Sequence, residues 1–579
     1  IPVHSDNYEM LHEAERIVAH IMSLAQSLGG AISGEHGIGL TKMQFLEPEK
    51  IREFGKYKQR VDPDDHFNRG KLMPGSGLKN AYTPSLRLVQ QEALILEESE
   101  LGALNDAIKH CLRCGKCKPV CMTHIPRANL SYSPRNKILG SGLVIEAFLY
   151  EEQTRRGVST RHFDEMNDLA DHCTVCHKCL SPCPVDIDFG EVSIQMRKIL
   201  TDRGQRRKSL TASAAMAFLN IKDPTAIKLM RTTMIGWGLK ALNIGGKLAT
   251  IAGLVNGEKT PAATSKPPAI QDQVINLVRN PAQAIVPKKT TRAMLGIEET
   301  HMIPIIRDPA KINEDSDAVF YFPGCGSERL FSQVSLATLA MLYDLGAQTV
   351  LPPEYMCCGY PQIASGLQGK GQQITTENRV LFHRVANTLN YLDIKTVIVS
   401  CGTCIDQLQH YQFEKIFPGC RLLDIHEYLM ENNVSLKELS GVKYMYHDPC
   451  HSPMKAHPPS QVASQLLGQE VLLSERCCSE AGTMATSRPD ISRQLHFRKQ
   501  EELQKGILQL TGEEKASNDT LKILTSCPAC QQGLSRYTED TGLKTDYIVV
   551  ELANHNLGKH WQEGFIKKAR NGGIEQILL

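Results

Sequence analysis

The sequence predicts a multidomain protein that combines α+β and α/β domains, and three observations support this fold class. The chain has 579 residues, enough for roughly three to five domains. Two cysteine runs with the same spacing are separated by residues of helical pattern, and further along the chain a unit of alternating strands and helices occurs twice. We therefore divide the chain into five regions, at residues 1–76, 77–205, 206–315, 316–438 and 439–560.

Composition narrows the class of protein. The formal net charge of +2 is close to neutral and gives no general signal for a nucleic-acid partner. Most of the 19 cysteines are clustered, with C-x2-C spacing or as adjacent Cys-Cys pairs, and this clustering suits metal coordination. Thiolate ligands need a reducing compartment, so we expect a cytoplasmic protein. No uncharged apolar run approaches the ~20 residues that span a bilayer. Any membrane contact is therefore expected to be peripheral, at the inner face.

The cysteine runs have the spacing C-x2-C-x2-C-x3-C, which wraps a [4Fe–4S] cubane. They contain Cys111, Cys114, Cys117 and Cys121 in the first run, and Cys173, Cys176, Cys179 and Cys183 in the second. In two-cluster ferredoxins the fourth ligand of each cluster comes from the other run. We therefore expect Cys183 to complete the first cluster and Cys121 to complete the second. Structural zinc is the alternative, although zinc ligands usually form two separated pairs.

Between the runs lie 51 residues, more than a compact two-cluster ferredoxin contains, so a helical insert is expected. Leu143–Tyr150 and Phe163–Leu169 have helical patterns, and Ser133-Pro134 is a start signal. The arrangement resembles the α-helical ferredoxin module of succinate dehydrogenase and glycerol-3-phosphate dehydrogenase iron–sulfur subunits. Lys178, between two ligand cysteines, is interpreted either as a charge that raises the cluster potential or as an ordinary solvated lysine.

Residues 1–76 contain a helical pattern over Leu11–Leu28 and then a glycine-rich loop over 29–40. Asp62-Pro63 and the segment Asn68–Leu72 follow. Together these motifs resemble the C-terminal end of FAD-linked D-2-hydroxy acid dehydrogenases of the vanillyl-alcohol-oxidase superfamily.

This resemblance implies roles for Glu35 and His36 in the glycine-rich loop. His36 would take the hydroxyl proton of the substrate as hydride leaves for FAD, and Glu35 would bind a divalent metal. Without the resemblance, His36 is interpreted as a hydrogen-bonded loop histidine. In the family, the FAD-binding domain and the remaining metal ligands lie upstream, whereas this chain begins at Ile1. We therefore expect FAD to be held mainly by a missing upstream domain, removed from this chain or carried on another polypeptide.

Residues 206–315 are interpreted as a connector. Pro224–Asn256 has no acidic residue, and its basic side chains are spread among apolar ones. This pattern favours a helix that lies on an anionic membrane surface, or a helix docked on the protein's own domains. The proline-rich segment Pro261–Pro287 is typical of an extended linker.

The internal repeat begins with the predicted strands Ala318–Phe322 and Val442–Tyr446, and later strands at Thr396–Ser400 and Leu521–Leu524 precede a C-x-x-C motif in each copy. Cysteines therefore fall at strand ends, where α/β sheets place ligands. The cysteines of the first copy are Cys325, Cys357, Cys358, Cys401 and Cys404. Those of the second copy are Cys450, Cys477, Cys478, Cys527 and Cys530.

This pattern is similar to the cysteine-rich "CCG" domain of heterodisulfide reductase and of glycolate oxidase iron–sulfur subunits. The similarity implies that each set of five cysteines binds a further iron–sulfur cluster, with zinc as the alternative occupant. The second copy has Ser479 where the motif has glycine. Cys420 fits neither set and is expected to be a buried spare.

The order of these modules resembles that of fused bacterial D-lactate or D-2-hydroxyglutarate dehydrogenases. This resemblance implies an enzyme that oxidises a small 2-hydroxy acid and passes electrons through two [4Fe–4S] clusters to a quinone or another carrier. The alternatives are a non-catalytic electron-transfer subunit of the glycolate oxidase type and a disulfide-reducing enzyme of the heterodisulfide reductase type. The sequence leaves the substrate, the acceptor and the oligomeric state open.

Overall fold

A computed structural model describes most of the chain, and it falls into two compact units. One unit comprises residues 1–109 and 145–156, and the other comprises 110–144 and 157–579. The described residues are 8–33, 37–39, 42–67, 71–74, 100–126, 128–153, 160–207, 209–233, 287–436, 441–480, 484–517 and 520–579.

The first unit contains helices that bracket the glycine-rich loop. They are α1 (Tyr8–Ser27), α2 (Pro48–Val61) and α3 (Glu100–Asp106). Helix α2 begins with a proline at its first turn, where no backbone N–H is needed. After α2, Asp62 accepts hydrogen bonds from the backbone N–H groups of His66 and Phe67, at 2.8 and 3.0 Å. Both bonds lower the pKa of Asp62, and the bond from Phe67 has the larger effect.

The region of the cysteine runs is helical, as predicted. Its helices are α4 (Pro134–Gln153), α5 (Thr160–Asp171) and α6 (Phe189–Asp202), and the connector begins with α7 (Leu210–Asn220) and α8 (Pro224–Met230). Helix α4 begins directly after Ser133, which confirms the start signal. Helix α6 is capped by Asp188, whose side chain accepts from the N–H of Gly190. The rest of the predicted basic helix, from residue 234, and nearly all of the proline-rich linker lie outside the described residues.

The first copy of the repeat is built on a six-stranded sheet in the order β10-β1-β3-β2-β4-β5. Strands β2 to β5 are parallel, whereas β1 pairs antiparallel with β3 and β10. Its elements, up to the end of this copy, are α9 (Thr291–Leu295), β1 (Met302–Ile306), β2 (Ala318–Phe322), α10 (Ser332–Leu345), β3 (Gln348–Val350), α11 (Tyr360–Ala364), α12 (Gln368–Thr388), β4 (Ile394–Val399), α13 (Gly402–Leu408), β5 (Arg421–Asp424) and α14 (Ile425–Glu431).

The second copy has a four-stranded parallel sheet in the order β7-β6-β8-β9, which repeats the order β3-β2-β4-β5 of the first. The predicted duplication is therefore confirmed at the level of strand order. The elements are β6 (Lys443–His447), α15 (Pro459–Leu467), β7 (Leu472–Ser474), α16 (Met484–Ser487), α17 (Pro489–Thr511), β8 (Leu521–Thr525), α18 (Pro528–Ser535), α19 (Thr538–Thr541), β9 (Lys544–Tyr547), α20 (Ile548–Asn556), α21 (Trp561–Lys568) and β10 (Ile574–Leu578).

The end of the chain returns to the first copy. Strand β10 pairs with β1, with Met302 opposite Leu578, and so adds an edge strand to the first sheet. The two copies also share one apolar core, in which Tyr321 of the first and Tyr446 of the second are fully buried. The sequence reasoning placed Met302–Ile306 in the connector and assigned no structure after residue 560, because a single short strand carries little periodic signal.

Candidate iron–sulfur sites

The first three cysteines of the first run line one small cavity together with two cysteines of the second run. The lining includes Cys111, Cys114, Cys117, Cys179 and Cys183. Cys183 is the second-run thiol beside Cys111, and its charge helps to raise the pKa of Cys111, after the larger effect of burial. The backbone N–H of Ile187 donates to Cys183 Sγ at 3.3 Å. Cys183 and the three first-run thiols, with this backbone donor, suit a [4Fe–4S] cluster, because N–H groups stabilise the charge on ligand sulfur.

The remaining four cysteines form a second group. Cys121 lies near Cys176 and Cys179, and its charge helps to raise the pKa of both thiols, for which burial is the largest cause. Cys173 is close to the same two thiols. The N–H of Val175 donates to Cys173 Sγ at 3.3 Å. Cys183 thus lies with the first run and Cys121 with the second, as the predicted crossed sets require, and Cys179 borders both sites.

Both runs wrap through the same backbone conformation. The residues before and after the second cysteine have positive φ in each run: 56° and 80° at Arg113 and Gly115, and 54° and 57° at Val175 and His177. A β-branched residue rarely holds this conformation. Such local strain persists only where the surrounding structure determines it, and it is typical of ligand-binding loops.

Lys137 connects the two runs, and the sequence reasoning missed it. Its side chain is 1% exposed, and its ammonium donates to Thr123 Oγ1 at 2.9 Å and to the carbonyl of His172. Thr123 Oγ1 in turn lies 3.3 Å from Cys121 Sγ. Lys137 therefore holds the end of one run beside the start of the other. A lysine at this helix position carries no motif by which it could have been predicted.

In the first copy of the repeat, the five predicted cysteines form a continuous chain of thiols. Neighbouring thiols share hydrogen bonds in the order Cys325, Cys357, Cys358, Cys404, Cys401. The bonds from Cys325 and Cys358 hold the pKa of Cys357 well below its usual range. Bonds from Cys404 and Cys527 lower the pKa of Cys401 in the same way. Thiols with a lowered pKa are ready ligands for a metal centre.

The second copy repeats this arrangement in the order Cys450, Cys477, Cys478, Cys530, Cys527. Here Cys478 is the thiol whose pKa is held well below its usual range, by Cys477 and Cys530. Ser479 has φ 72°, close to the 90° of Gly359 in the first copy. The replacement of glycine by serine therefore leaves the turn after the cysteine pair in the same left-handed conformation.

Paired tyrosines support both sets of thiols. The hydroxyl of Tyr411 donates to the carbonyl of Cys358 at 2.9 Å, and that of Tyr537 donates to the carbonyl of Cys478 at 3.4 Å. Both tyrosines stand seven residues after the second cysteine of the C-x-x-C motif in their copy. This equal offset was visible in the sequence and could have identified them.

The two copies meet at their C-x-x-C motifs. The thiols of Cys401 and Cys527 share a hydrogen bond. The Tyr547 hydroxyl lies 2.6 Å from the carbonyl oxygen of Ser400 and 2.7 Å from that of Ser526, which are the residues directly before these cysteines. One hydroxyl therefore fixes both strand ends that carry the facing thiols.

The second ferredoxin run packs against both copies. Lys178 Nζ lies 3.2 Å from Asp448 Oδ2, two residues before Cys450, so its charge is paired rather than freely solvated. Cys450 is close enough to Cys176 to help raise its pKa, after the larger effect of burial. In the first copy, the hydroxyl of Tyr360 donates to the carbonyl of Val175 at 2.9 Å.

The remaining predicted residues stand apart from these sites. Glu35 and His36 lie outside the described residues; Ser33 and Gly37, on either side, are joined by a hydrogen bond of 2.6 Å from Ser33 Oγ to the Gly37 carbonyl. Cys420 is half-buried at the edge of the first sheet's core rather than fully buried, because it lies in the turn before β5.

Comparisons with known protein families agree with this organisation. The C-terminal domain of FAD linked oxidases matches residues 1–72, a 4Fe-4S dicluster domain matches 107–187, and the cysteine-rich domain matches 319–409 and 444–535. A domain of unknown function, DUF3400, matches 535–579, the segment that ends in β10.

Relatives share parts of this arrangement at low identity. An uncharacterized iron-sulfur protein of Methanococcus maripaludis is 22% identical over 44% of this chain and 49% of its own length. The probable glycolate oxidase iron-sulfur subunit of Bacillus subtilis is 22% identical over 77% of this chain and 92% of its own. A mitochondrial D-lactate dehydrogenase [cytochrome] of Arabidopsis thaliana is 39% identical over 11% of this chain and 12% of its own.

The chain thus spans about half the length of the first of these relatives. No solved structure matches it. It combines an FAD-linked oxidase segment, a 4Fe-4S dicluster domain and a duplicated cysteine-rich domain. In sequence it is similar to a glycolate oxidase iron–sulfur subunit and, over a short segment, to a D-lactate dehydrogenase. None of the helices in the described residues is long and apolar enough to cross a membrane.

Proposed function

We propose that this chain is the electron-transferring part of a flavin- and iron–sulfur-dependent dehydrogenase that oxidises a D-2-hydroxy acid of the D-lactate or D-2-hydroxyglutarate class. The main observation behind this proposal is that the sets of candidate ligand cysteines lie next to one another. Cys176 of the second ferredoxin run lies near Cys450, and Cys527 of the second copy is bonded to Cys401 of the first. Four candidate ligand sets therefore lie in one compact unit.

The residues at these sites fit iron–sulfur clusters. When bound, such clusters supply one-electron carriers that accept the two electrons of a reduced flavin singly. The chain's own contribution is position and electrostatics. Lys178 and Asp448 pair across the junction of the ferredoxin module and the second copy. Arg329, 1% exposed, places a fixed positive charge near Cys325 and Cys357, which favours added negative charge there.

The flavin side of the proposal depends on the glycine-rich loop. Glu35 and His36 would act there as metal ligand and proton acceptor. On α1 and just after it, four apolar side chains at helical spacing are 39% to 78% exposed: Ile17, Ile21, Leu24 and Leu28. An exposed apolar face of this kind indicates a surface that contacts another domain. We propose that an FAD-binding domain covers this face, and that a quinone or carrier protein receives the electrons at the cytoplasmic side of a membrane.

The first test is anaerobic metal and sulfide analysis of the chain, with EPR before and after reduction by dithionite. Two cubanes alone account for about eight irons. We expect more than this, with a further signal that is lost in Cys357→Ser. About eight irons and cubane signals alone would exclude the cysteine-rich repeat from electron transfer. Absence of iron after reconstitution would contradict the proposal as a whole.

The second candidate is a non-catalytic electron-transfer subunit that docks on a separate flavoprotein. The Bacillus subtilis relative favours it, because the match covers nearly all of that protein. To distinguish the two, D-lactate, D-2-hydroxyglutarate and glycolate are each added to the full-length polypeptide that carries this sequence, and cluster bleaching is followed. Reduction that requires an added flavoprotein supports the subunit, whereas reduction by the purified polypeptide with its own FAD supports the fused enzyme.

A further inference from the structure

His447 is a buried histidine beside the thiols of the second copy. It is the last residue of β6 and is fully buried. One of its ring nitrogens, Cys478 Sγ and Cys530 Sγ all lie within 4.8 Å of one another. Three potential ligand atoms this close together, all buried, have the spacing of a metal-binding group.

Hydrogen bonding decides which nitrogen is available. Nδ1 of His447 lies 2.9 Å from the carbonyl oxygen of Ser474. A carbonyl only accepts, so Nδ1 carries the proton and donates it. Nε2 then carries a lone pair, and this buried atom has no hydrogen-bond donor among the described residues other than the thiol of Cys478. A metal-binding histidine typically has this arrangement, with its other N–H donated to a carbonyl or carboxylate.

Lys499 also contacts the ring and does not change this assignment. Its ammonium lies 3.1 Å from Nδ1, but it donates to Ser474 Oγ at 2.5 Å and to Glu502 at 2.7 Å. These two acceptors satisfy a fully buried lysine. Lys499 thereby holds Ser474, whose carbonyl in turn fixes the tautomer of His447.

The first copy provides an internal comparison. His447 stands three residues before Cys450, and the residue three before Cys325 is Phe322. Phe322 is also fully buried at the end of its strand. The two copies therefore share their thiols and their supporting tyrosines, but only the second offers an imidazole at this position.

We propose that His447 Nε2 is a ligand of the metal centre in the second copy, which gives that centre a mixed imidazole–thiolate donor set, whereas the first copy offers thiolates alone. The inference depends on the proposed function in one respect: it requires a metal centre in the second copy. A neutral imidazole in place of a thiolate makes a cluster less negative, as in Rieske centres, and so raises its reduction potential. The centre of the second copy is then the easier of the two to reduce.

The test uses the chain labelled with ¹⁵N only at histidine, reconstituted anaerobically. The EPR signal of the second copy is identified as the one that Cys450→Ser removes and Cys325→Ser leaves. Pulsed EPR of that signal is expected to show a directly bound ¹⁵N, and His447→Gln is expected to abolish the coupling. His426→Gln is the matched control, because His426 is equally buried but has hydrogen bonds at both nitrogens, to Asp424 and to the N–H of Val549.

A signal of the second copy without histidine nitrogen, or a coupling that survives His447→Gln, would overturn the assignment. If the bound metal is zinc or gives no EPR signal, X-ray absorption spectroscopy at the absorption edge of that metal replaces the pulsed EPR measurement. A nitrogen scatterer at ~2.0–2.1 Å that is lost in His447→Gln supports the ligand, whereas sulfur alone contradicts it. No metal in the second copy also contradicts it. These readouts need no substrate, so they succeed or fail independently of the proposed dehydrogenase activity.

Discussion

At the scale of single residues, the buried charges of Arg292 and Glu328 form an ion pair. Arg292 and Glu328 are 1% and 2% exposed, and Arg292 Nε lies 2.6 Å from Glu328 Oε1. Burial raises the pKa of Glu328, and Arg292 opposes this effect. Arg292 also donates to the carbonyls of Pro352 and Pro353. The pair thus stabilises the fold only while both partners are present.

We predict that Arg292→Met destabilises the protein more at pH 8 than at pH 5.5. Without Arg292, the folded-state pKa of Glu328 rises further above its unfolded value. Stability is then lost as pH rises through that interval, because the folded state binds the extra proton. Breaking such a buried pair costs about 3–5 kcal/mol when the remaining charge is ionised. The measurement is the shift in thermal midpoint from wild type at each pH.

The control is the double variant Arg292→Met with Glu328→Gln. It also loses the arginine's bonds to the two proline carbonyls, but no carboxyl is left to titrate. Its destabilisation should be the same at both pH values. A single variant equally destabilised at pH 5.5 and pH 8 would show that Glu328 stays ionised without its partner.

A second prediction at this scale concerns His36 in the proposed flavin site. In the full-length enzyme, His36→Ala should reduce turnover by about two to four orders of magnitude, as expected for loss of a general base. His66→Ala, at an exposed position of the same unit, is the control and should leave turnover unchanged. Turnover near the wild-type level in His36→Ala would remove His36 from the mechanism.

At the scale of elements, the ferredoxin loops exchange their fourth cysteines. Cys183 lines the cavity of the first run, and Cys121 lies with the cysteines of the second. This exchange requires the two runs to fold side by side, which Lys137 and helix α4 achieve by joining Thr123 to the carbonyl of His172. Each cluster site therefore depends on both runs.

We predict that Cys183→Ser alters the cluster held by the first run, whereas Cys121→Ser alters the cluster held by the second. The two variants should perturb different EPR signals, and each should resemble the change caused by Cys111→Ser or Cys176→Ser, respectively. Iron content should fall by up to about four per chain when a cubane is lost. The opposite pairing would show that each run supplies all four ligands of its own cluster.

At the scale of the whole second unit, the two cysteine-rich copies pack by closely related contacts. A Cβ atom on Gly402 would lie 1.6 Å from the carbonyl oxygen of His451, the residue after Cys450. The equivalent contact lies between Pro528 and Gly326, the residue after Cys325, where an added Cβ would lie 3.3 Å from Pro528 Cβ. The contact between Gly402 and His451 leaves no room for a side chain on Gly402.

We predict that Gly402→Ala separates the two copies, lowers the thermal midpoint by at least several degrees and reduces the iron bound by the cysteine-rich domains. The physical reason is that a backbone carbonyl cannot move away as a flexible side chain could. Gly369→Ala is the control, because a Cβ there meets nothing within 4 Å and alanine favours its helix. Wild-type stability and iron content in Gly402→Ala would contradict this packing.

Local patterns were enough to predict much of the fold. The strand Ala318–Phe322 and the start of α4 at Pro134 agree with the sequence predictions to the residue. A short apolar run and a proline at the first helical position act over a few residues, so they are readable without tertiary structure. Strands β1 and β10 were not predictable, because their pairing joins residues about 270 apart in the chain.

For the sites, cysteine spacing alone identified the ligand candidates, because cluster chemistry requires fixed spacings within a loop. The same spacing predicted the crossed sets and the duplication. How the sets adjoin depends on tertiary packing: the contact of Cys401 with Cys527, the place of Tyr547 between two carbonyls, and the difference between His447 and Phe322. These features depend on segments that are distant in sequence and become neighbours only when two sheets pack on one core.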